Sequence, residues 1–98
     1  MNPRQLAAFR ATMRSGSITG AAKLLFISQP SVSRLIADLE VELGFNLFTR
    51  TGHGLVATLE ARRFSQSVER MFIGLDKLKE TAEAIRIVQP YVCNFGLV

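Results

Sequence analysis

A chain of 98 residues with 48% hydrophobic content holds one small domain and an appendage, with enough apolar side chain to exclude wholesale disorder. The net charge of +4 favours an anionic partner, and the excess is local: residues 1–58 carry six Lys/Arg (Arg4, Arg10, Arg14, Lys23, Arg34, Arg50) against three acids (Asp38, Glu40, Glu42), while residues 59–98 are nearly balanced. A single cysteine, Cys93, and a single histidine, His53, give neither an internal disulfide nor a metal cluster, and no signal-peptide core or 18-residue apolar run is present. A reducing cytoplasm, no cofactor and no membrane attachment are therefore expected.

Asn2 is placed to cap a first helix, with Pro3 at its first position and Gln5 where a capping box needs it. Leu6, Phe9 and Met13 then mark one buried face, and Ser15-Gly16 closes the helix. Ser17 caps a second helix whose inner face is Ile18, Ala21, Ala22 and Leu25, the paired alanines allowing close backbone approach. Gly20 costs about 1 kcal/mol of helix propensity relative to Ala and reads as tolerated, without a purpose of its own.

Phe26-Ile27 is a break. Ser28 caps a third helix with Pro30 in its first turn, and Val32, Leu35, Ile36, Leu39 and Leu43 fall on one side at about 100° per residue. Pro30, Arg34, Ala37 and Val41 lie opposite, with Ser31 and Ser33 on the flanks and Gln29 also off the stripe. The three acids all sit in the second half, so the dipole-positive, acid-free end leads. Short uncharged donors and acceptors plus one guanidinium at a helix start are what reading base edges in a DNA major groove requires. The plainer alternative is a solvated face with ordinary capping.

Gly44 stops this helix. Phe45 to Thr49 and Leu55 to Ala57 read as two short strands around a glycine-rich tip, Arg50-Thr51-Gly52-His53-Gly54, a wing suited to the sugar-phosphate backbone or a minor groove. Thr58 caps a long helix with Glu60 in its first turn. Its apolar positions Phe64, Val68, Met71, Leu75, Leu78, Ala82 and Ile85 alternate spacings of four and three, a heptad seam widened by Phe72 and Ile73. Such a seam calls for a partner, and a second copy is the simplest. Pro90 ends the helix, and the apolar residues 90–98 fit no pattern.

Helix, helix–break–helix, wing and long helix in this order resemble the N-terminal DNA-binding region of a LysR-type transcriptional regulator. The match rests on Leu6, Phe9, Gly16-Ser17, Ala21-Ala22, Leu24-Leu25, Ser28-Gln29-Pro30-Ser31-Val32-Ser33, Ile36, Leu39-Glu40, Leu43-Gly44, Leu47-Phe48 and Arg50, and extends from about residue 3 to residue 88. The stretch Ser33 to Glu40 is similar to regulators of amino-acid and opine catabolism within that family. The resemblance implies a mainly α fold: a winged helix-turn-helix over 1–58, a dimerising linker helix over 59–89 and an unassigned tail over 90–98.

By position, Gln29, Ser31, Ser33 and Arg34 are expected to face bases or phosphates, with Ser28 and Pro30 in the same DNA-binding set. Ser17 and Thr19 are expected near the DNA backbone, and Arg50 and His53 in the wing. The family usually has arginine where His53 stands, which implies a weaker and pH-sensitive wing, and often glycine where Ala61 stands. Its members continue into a two-lobed effector-binding domain with no counterpart in these 98 residues, so no small-molecule effector site is expected in the chain.

The function expected is that of a homodimer on double-stranded DNA. Two third helices would enter successive major grooves of an inverted repeat. The alternative is an interaction module that forms heterodimers with full-length relatives and inhibits them. No nucleophile–base pair or phosphate-cradling loop supports an enzyme; the Gly52-His53-Gly54 hairpin is too short for one.

Overall fold

The computed structural model describes residues 1–88. The expected tail over 90–98, with Cys93, lies outside the described residues. The element order is α1 (Pro3–Ser15), α2 (Ile18–Leu25), α3 (Gln29–Leu43), β1 (Phe48–Thr51), β2 (Gly54–Ala57) and α4 (Leu59–Val88). Two units divide the chain. The first is Met1–Val68 and contains the opening ten residues of α4; the described part of the second, residues 69–88, is all α4.

Local chemistry sets most helix ends. The Asn2 side chain accepts from Gln5 N at 2.9 Å and the Gln5 side chain accepts from Asn2 N at 3.0 Å, completing the capping box. Gly16 at φ 79° and Gly44 at φ 82° terminate α1 and α3 in the left-handed region, which glycine enters without a Cβ penalty. The Met1 ammonium binds the Glu42 carboxylate. That bond, joined by one from the Gln5 side chain, lowers the Glu42 pKa below its usual value.

The core of the first unit joins α1 (Leu6, Ala8, Phe9, Ala11), α2 (Ala21, Ala22), α3 (Val32, Ile36, Leu39), Leu47 and the start of α4 (Ala61, Val68). Phenylalanine rings run through it in sequence. Phe9 lies 5.9 Å from Phe48 and 5.4 Å from Phe64, and Phe64 meets Phe45 edge-on at 6.3 Å. Phe9, wholly buried, is the hub that holds the wing strand and the start of α4 to α1. The one buried hydroxyl of α1, on Thr12, donates to Ala8 O at 2.8 Å, so it enters the core without an orphaned donor.

The strands differ from the sequence expectation. Pairing begins at Phe48 rather than Phe45, and the register Phe48↔Ala57 to Thr51↔Gly54 leaves only Gly52 and His53 in the turn. Arg50 therefore lies within β1, opposite Leu55, and not at the tip. The reason is at Leu47: its N–H is taken by the Glu40 carboxylate at 2.6 Å and its carbonyl by Thr58 N at 3.0 Å, so its backbone is already engaged before the ladder starts.

Phe64 and Val68, expected in the heptad seam, belong to the first unit, where Val68 is buried and Phe64 half-buried. In the second unit Met71, Leu75, Leu78, Ala82 and Ile85 are exposed and Phe72 is half-buried. Ile73 and Ile87 are exposed as well.

Candidate nucleic-acid interface

Helix caps hold several of the expected site residues. Ser17, extended at φ −155°, is the N-cap of α2, and its hydroxyl accepts from Gly20 N at 2.9 Å. Ser28 is the N-cap of α3 and accepts from Ser31 N at 3.2 Å, while its hydroxyl also meets the Ser31 hydroxyl at 2.8 Å. Ser17, Ser28 and Ser31 thus spend hydroxyl capacity holding helix starts. Thr19, Gln29 and Ser33 make no side-chain hydrogen bond among the described residues and are exposed. Their donors and acceptors face outward unsatisfied except by solvent.

The turn between α2 and α3 passes through Phe26 in the left-handed region, φ 56°, with 93% of the residue exposed. Gly20 has a purpose that the sequence did not disclose. A Cβ there would lie 2.6 Å from Ser15 Cβ and 2.8 Å from Ser15 Oγ, so the glycine lets α2 pass the end of α1. Gly20→Ala should therefore destabilise the first unit by about 1–3 kcal/mol, as overpacking does. Helix propensity alone gives the opposite sign; urea denaturation followed by circular dichroism distinguishes them.

One surface cleft of about 460 Å³ gathers six of the expected residues: Ser17 and Thr19 from α2, Gln29, Pro30 and Ser33 from α3, and Arg50 from β1. Ile18, Gly54 and Leu55 complete its lining. Ser31 and Arg34 line a neighbouring cleft on the α1 side of α3, and Pro30 lines both. Arg34 is exposed, its Nε 4.0 Å from Asp38 Oδ2 one turn along. His53 sits exposed in the hairpin turn, where its N–H donates to Thr51 Oγ1 at 3.1 Å. Ser28 lines neither cleft.

Two residues that were not among the expected site residues position the site. Glu40 Oε2 accepts from both Leu47 N at 2.6 Å and Phe48 N at 3.3 Å, pinning the start of the wing to α3. The Thr58 hydroxyl donates to Asn46 O at 2.7 Å and accepts from Ala61 N at 3.0 Å, closing the wing's other end onto α4. A third residue outside that set, Arg4, lines the second cleft. Among the described residues no group of three or more His, Cys, Asp or Glu could hold a metal ion. No helix there is long and apolar enough to cross a membrane.

A helix-turn-helix whose second helix presents an exposed polar start, flanked by a two-stranded wing, defines a winged helix-turn-helix protein. Residues 3–62 match the family described as bacterial regulatory helix-turn-helix protein, lysR family. The chain belongs to that family, and this region is its DNA-binding domain.

Among similar proteins, the regulatory protein NocR of Agrobacterium fabrum is 47% identical over 83 residues, which cover 85% of this chain and 28% of NocR. The octopine catabolism/uptake operon regulatory protein OccR of Rhizobium meliloti is 42% identical, covering 87% of this chain and 29% of OccR. The transcriptional activator LysR of Escherichia coli is 41% identical, covering 88% and 28% respectively. The chain therefore spans under a third of the length of these curated relatives. NocR and OccR are regulatory proteins and LysR is a transcriptional activator.

Of the solved structures, the BenM DNA-binding domain in its complex with catB site 1 DNA superposes with a TM-score of 0.82 at 34% identity, covering 87% of this chain and 96% of that one. The CbnR DNA-binding domain in complex with DNA gives 0.77 at 31% identity, covering 86% and 97%.

Proposed function

We propose that the chain is a sequence-specific regulator that binds an inverted-repeat duplex as a homodimer. The N-terminal turn of each α3 enters a major groove and each wing lies along the flanking backbone or minor groove. The observation that carries this reading is the first cleft. There Thr19, Gln29 and Ser33, whose side chains make no hydrogen bond among the described residues, stand beside Arg50 on a surface built from α2, α3 and β1. No acid occupies the first turn of α3, so phosphates meet the positive end of a helix dipole. Gln29 and Ser33 supply base-edge hydrogen bonds, Arg50 neutralises a phosphate, and Ser17 and Thr19 approach the backbone from α2. Pairing runs through the exposed Met71, Leu75, Leu78 and Ile85 of α4, whose heptad spacing suits a second copy.

Gel retardation on a dyad-bearing duplex across a salt series tests this. The affinity of a protein that sediments as a dimer should fall by roughly 10³–10⁵ between 50 and 200 mM salt if six to ten phosphates are contacted. Salt-insensitive or absent retardation by a folded dimer contradicts it.

A further inference from the structure

The second cleft, about 380 Å³ and lined by Arg4, Pro30, Ser31, Arg34 and Leu35, has no role in the reading above. Arg4 comes from the first turn of α1 and the other four from α3. Among the described residues no carboxylate lines this cleft. Arg4 is exposed and has no ion-pair or hydrogen-bond partner among the described residues. Among the described residues the only link of the Arg34 side chain is the 4.0 Å approach to Asp38, with 83% and 57% of the two side chains exposed, a pairing that holds the guanidinium weakly.

Two guanidiniums sharing a concave surface repel each other, and an anion between them removes that repulsion while accepting hydrogen bonds from both. The rest of the lining offers little else. Pro30 has no N–H, Leu35 is apolar, and the Ser31 hydroxyl is already engaged with Ser28. The cleft therefore recognises charge rather than a donor–acceptor pattern. Pro30 walls both this cleft and the one holding Gln29 and Ser33, so a strand whose bases meet the first cleft brings its backbone past the second.

We propose that Arg4 and Arg34 grip one DNA backbone phosphate between α1 and α3, making Arg34 an anchor and leaving base discrimination to Gln29 and Ser33. The proposal rests on the DNA-binding function above and adds Arg4 to it.

The test compares the wild-type chain with Arg4→Gln, Arg34→Gln, the double variant and Arg4→Lys. Binding is measured on a duplex selected by the wild type from random DNA and on single-base-pair variants of that duplex, over a salt series, with circular dichroism confirming the fold. Each single Gln variant should lose affinity roughly ten- to hundredfold and equally on every duplex. The salt slope should fall by about one in the double variant, which leaves that phosphate without a guanidinium, and by less in either single variant. The double variant should lose less than the product of the singles, because both groups hold the same phosphate, and Arg4→Lys should recover part of the loss. Unchanged affinity for Arg4→Gln overturns the proposal and leaves the DNA-binding reading intact. Loss of discrimination at one base pair in Arg34→Gln overturns the anchoring role. Absence of any binding by the wild type removes both.

Discussion

Phe9→Ala is expected to lower the unfolding free energy of the first unit by about 3–5 kcal/mol, the usual cost of deleting a buried aromatic ring. The side chain is wholly buried and touches Phe48 in β1 and Phe64 in α4 at centroid distances of 5.9 and 5.4 Å. Its removal leaves a cavity where three elements meet, so the site cannot close by moving one side chain. Small domains have only about 5–15 kcal/mol in total, so the variant should approach spontaneous unfolding. Phe26→Ala is the internal contrast. The same deletion at a ring 93% exposed should change stability by no more than about 0.5 kcal/mol. Guanidinium denaturation of both variants separates a packed hub from a solvated ring, and equal losses would show that the ring chain does not hold the unit together.

Glu40→Ala should cost roughly 1–3 kcal/mol and weaken DNA binding beyond what the unfolded fraction explains. One carboxylate oxygen accepts the part-buried N–H groups of Leu47 and Phe48, and alanine leaves both without a partner. The wing then loses its attachment to α3, and Arg50 leaves its place beside Gln29 and Ser33. Glu40→Gln, which keeps one acceptor oxygen in the same position, should recover much of the binding. Titration of a fixed duplex under conditions where all three proteins are folded checks this. Full affinity in Glu40→Ala would show that the wing is held by its own hairpin and not by α3.

Helix limits were legible because their causes are local. Asn2, Ser17, Ser28 and Thr58 cap the N–H three positions on, Gln5 returns the bond by accepting from Asn2 N, and Gly16 and Gly44 take left-handed conformations no neighbour dictates. What was not legible depends on residues distant in sequence or across a turn. The purpose of Gly20 is set by Ser15, which the α1–α2 turn swings against it. The start of β1 is fixed by Glu40, seven residues upstream of Leu47, and this moved Arg50 from the hairpin tip into the strand.

The heptad pattern carried an ambiguity of its own. Phe64 and Val68 continue the spacing of Met71 and Leu75, yet they pack into the first unit, because periodicity reports which face is apolar and not what covers it. The candidate site shows the same division. Gln29 and Ser33 stood out as polar residues off an apolar stripe. Arg4 did not, since its nearness to Arg34 comes from the packing of α1 against α3.

The central claim is that the first turn of α3 reads base edges. The most direct measurement is a comparison of wild type and Gln29→Ala on a panel of duplexes, each altered at one base pair of the selected half-site. The variant should lose discrimination at one or two adjacent base pairs, where the wild type distinguishes bases by about 1–3 kcal/mol, with its profile elsewhere and its salt slope unchanged. A uniform weakening across the panel, or a profile identical to wild type, would contradict it.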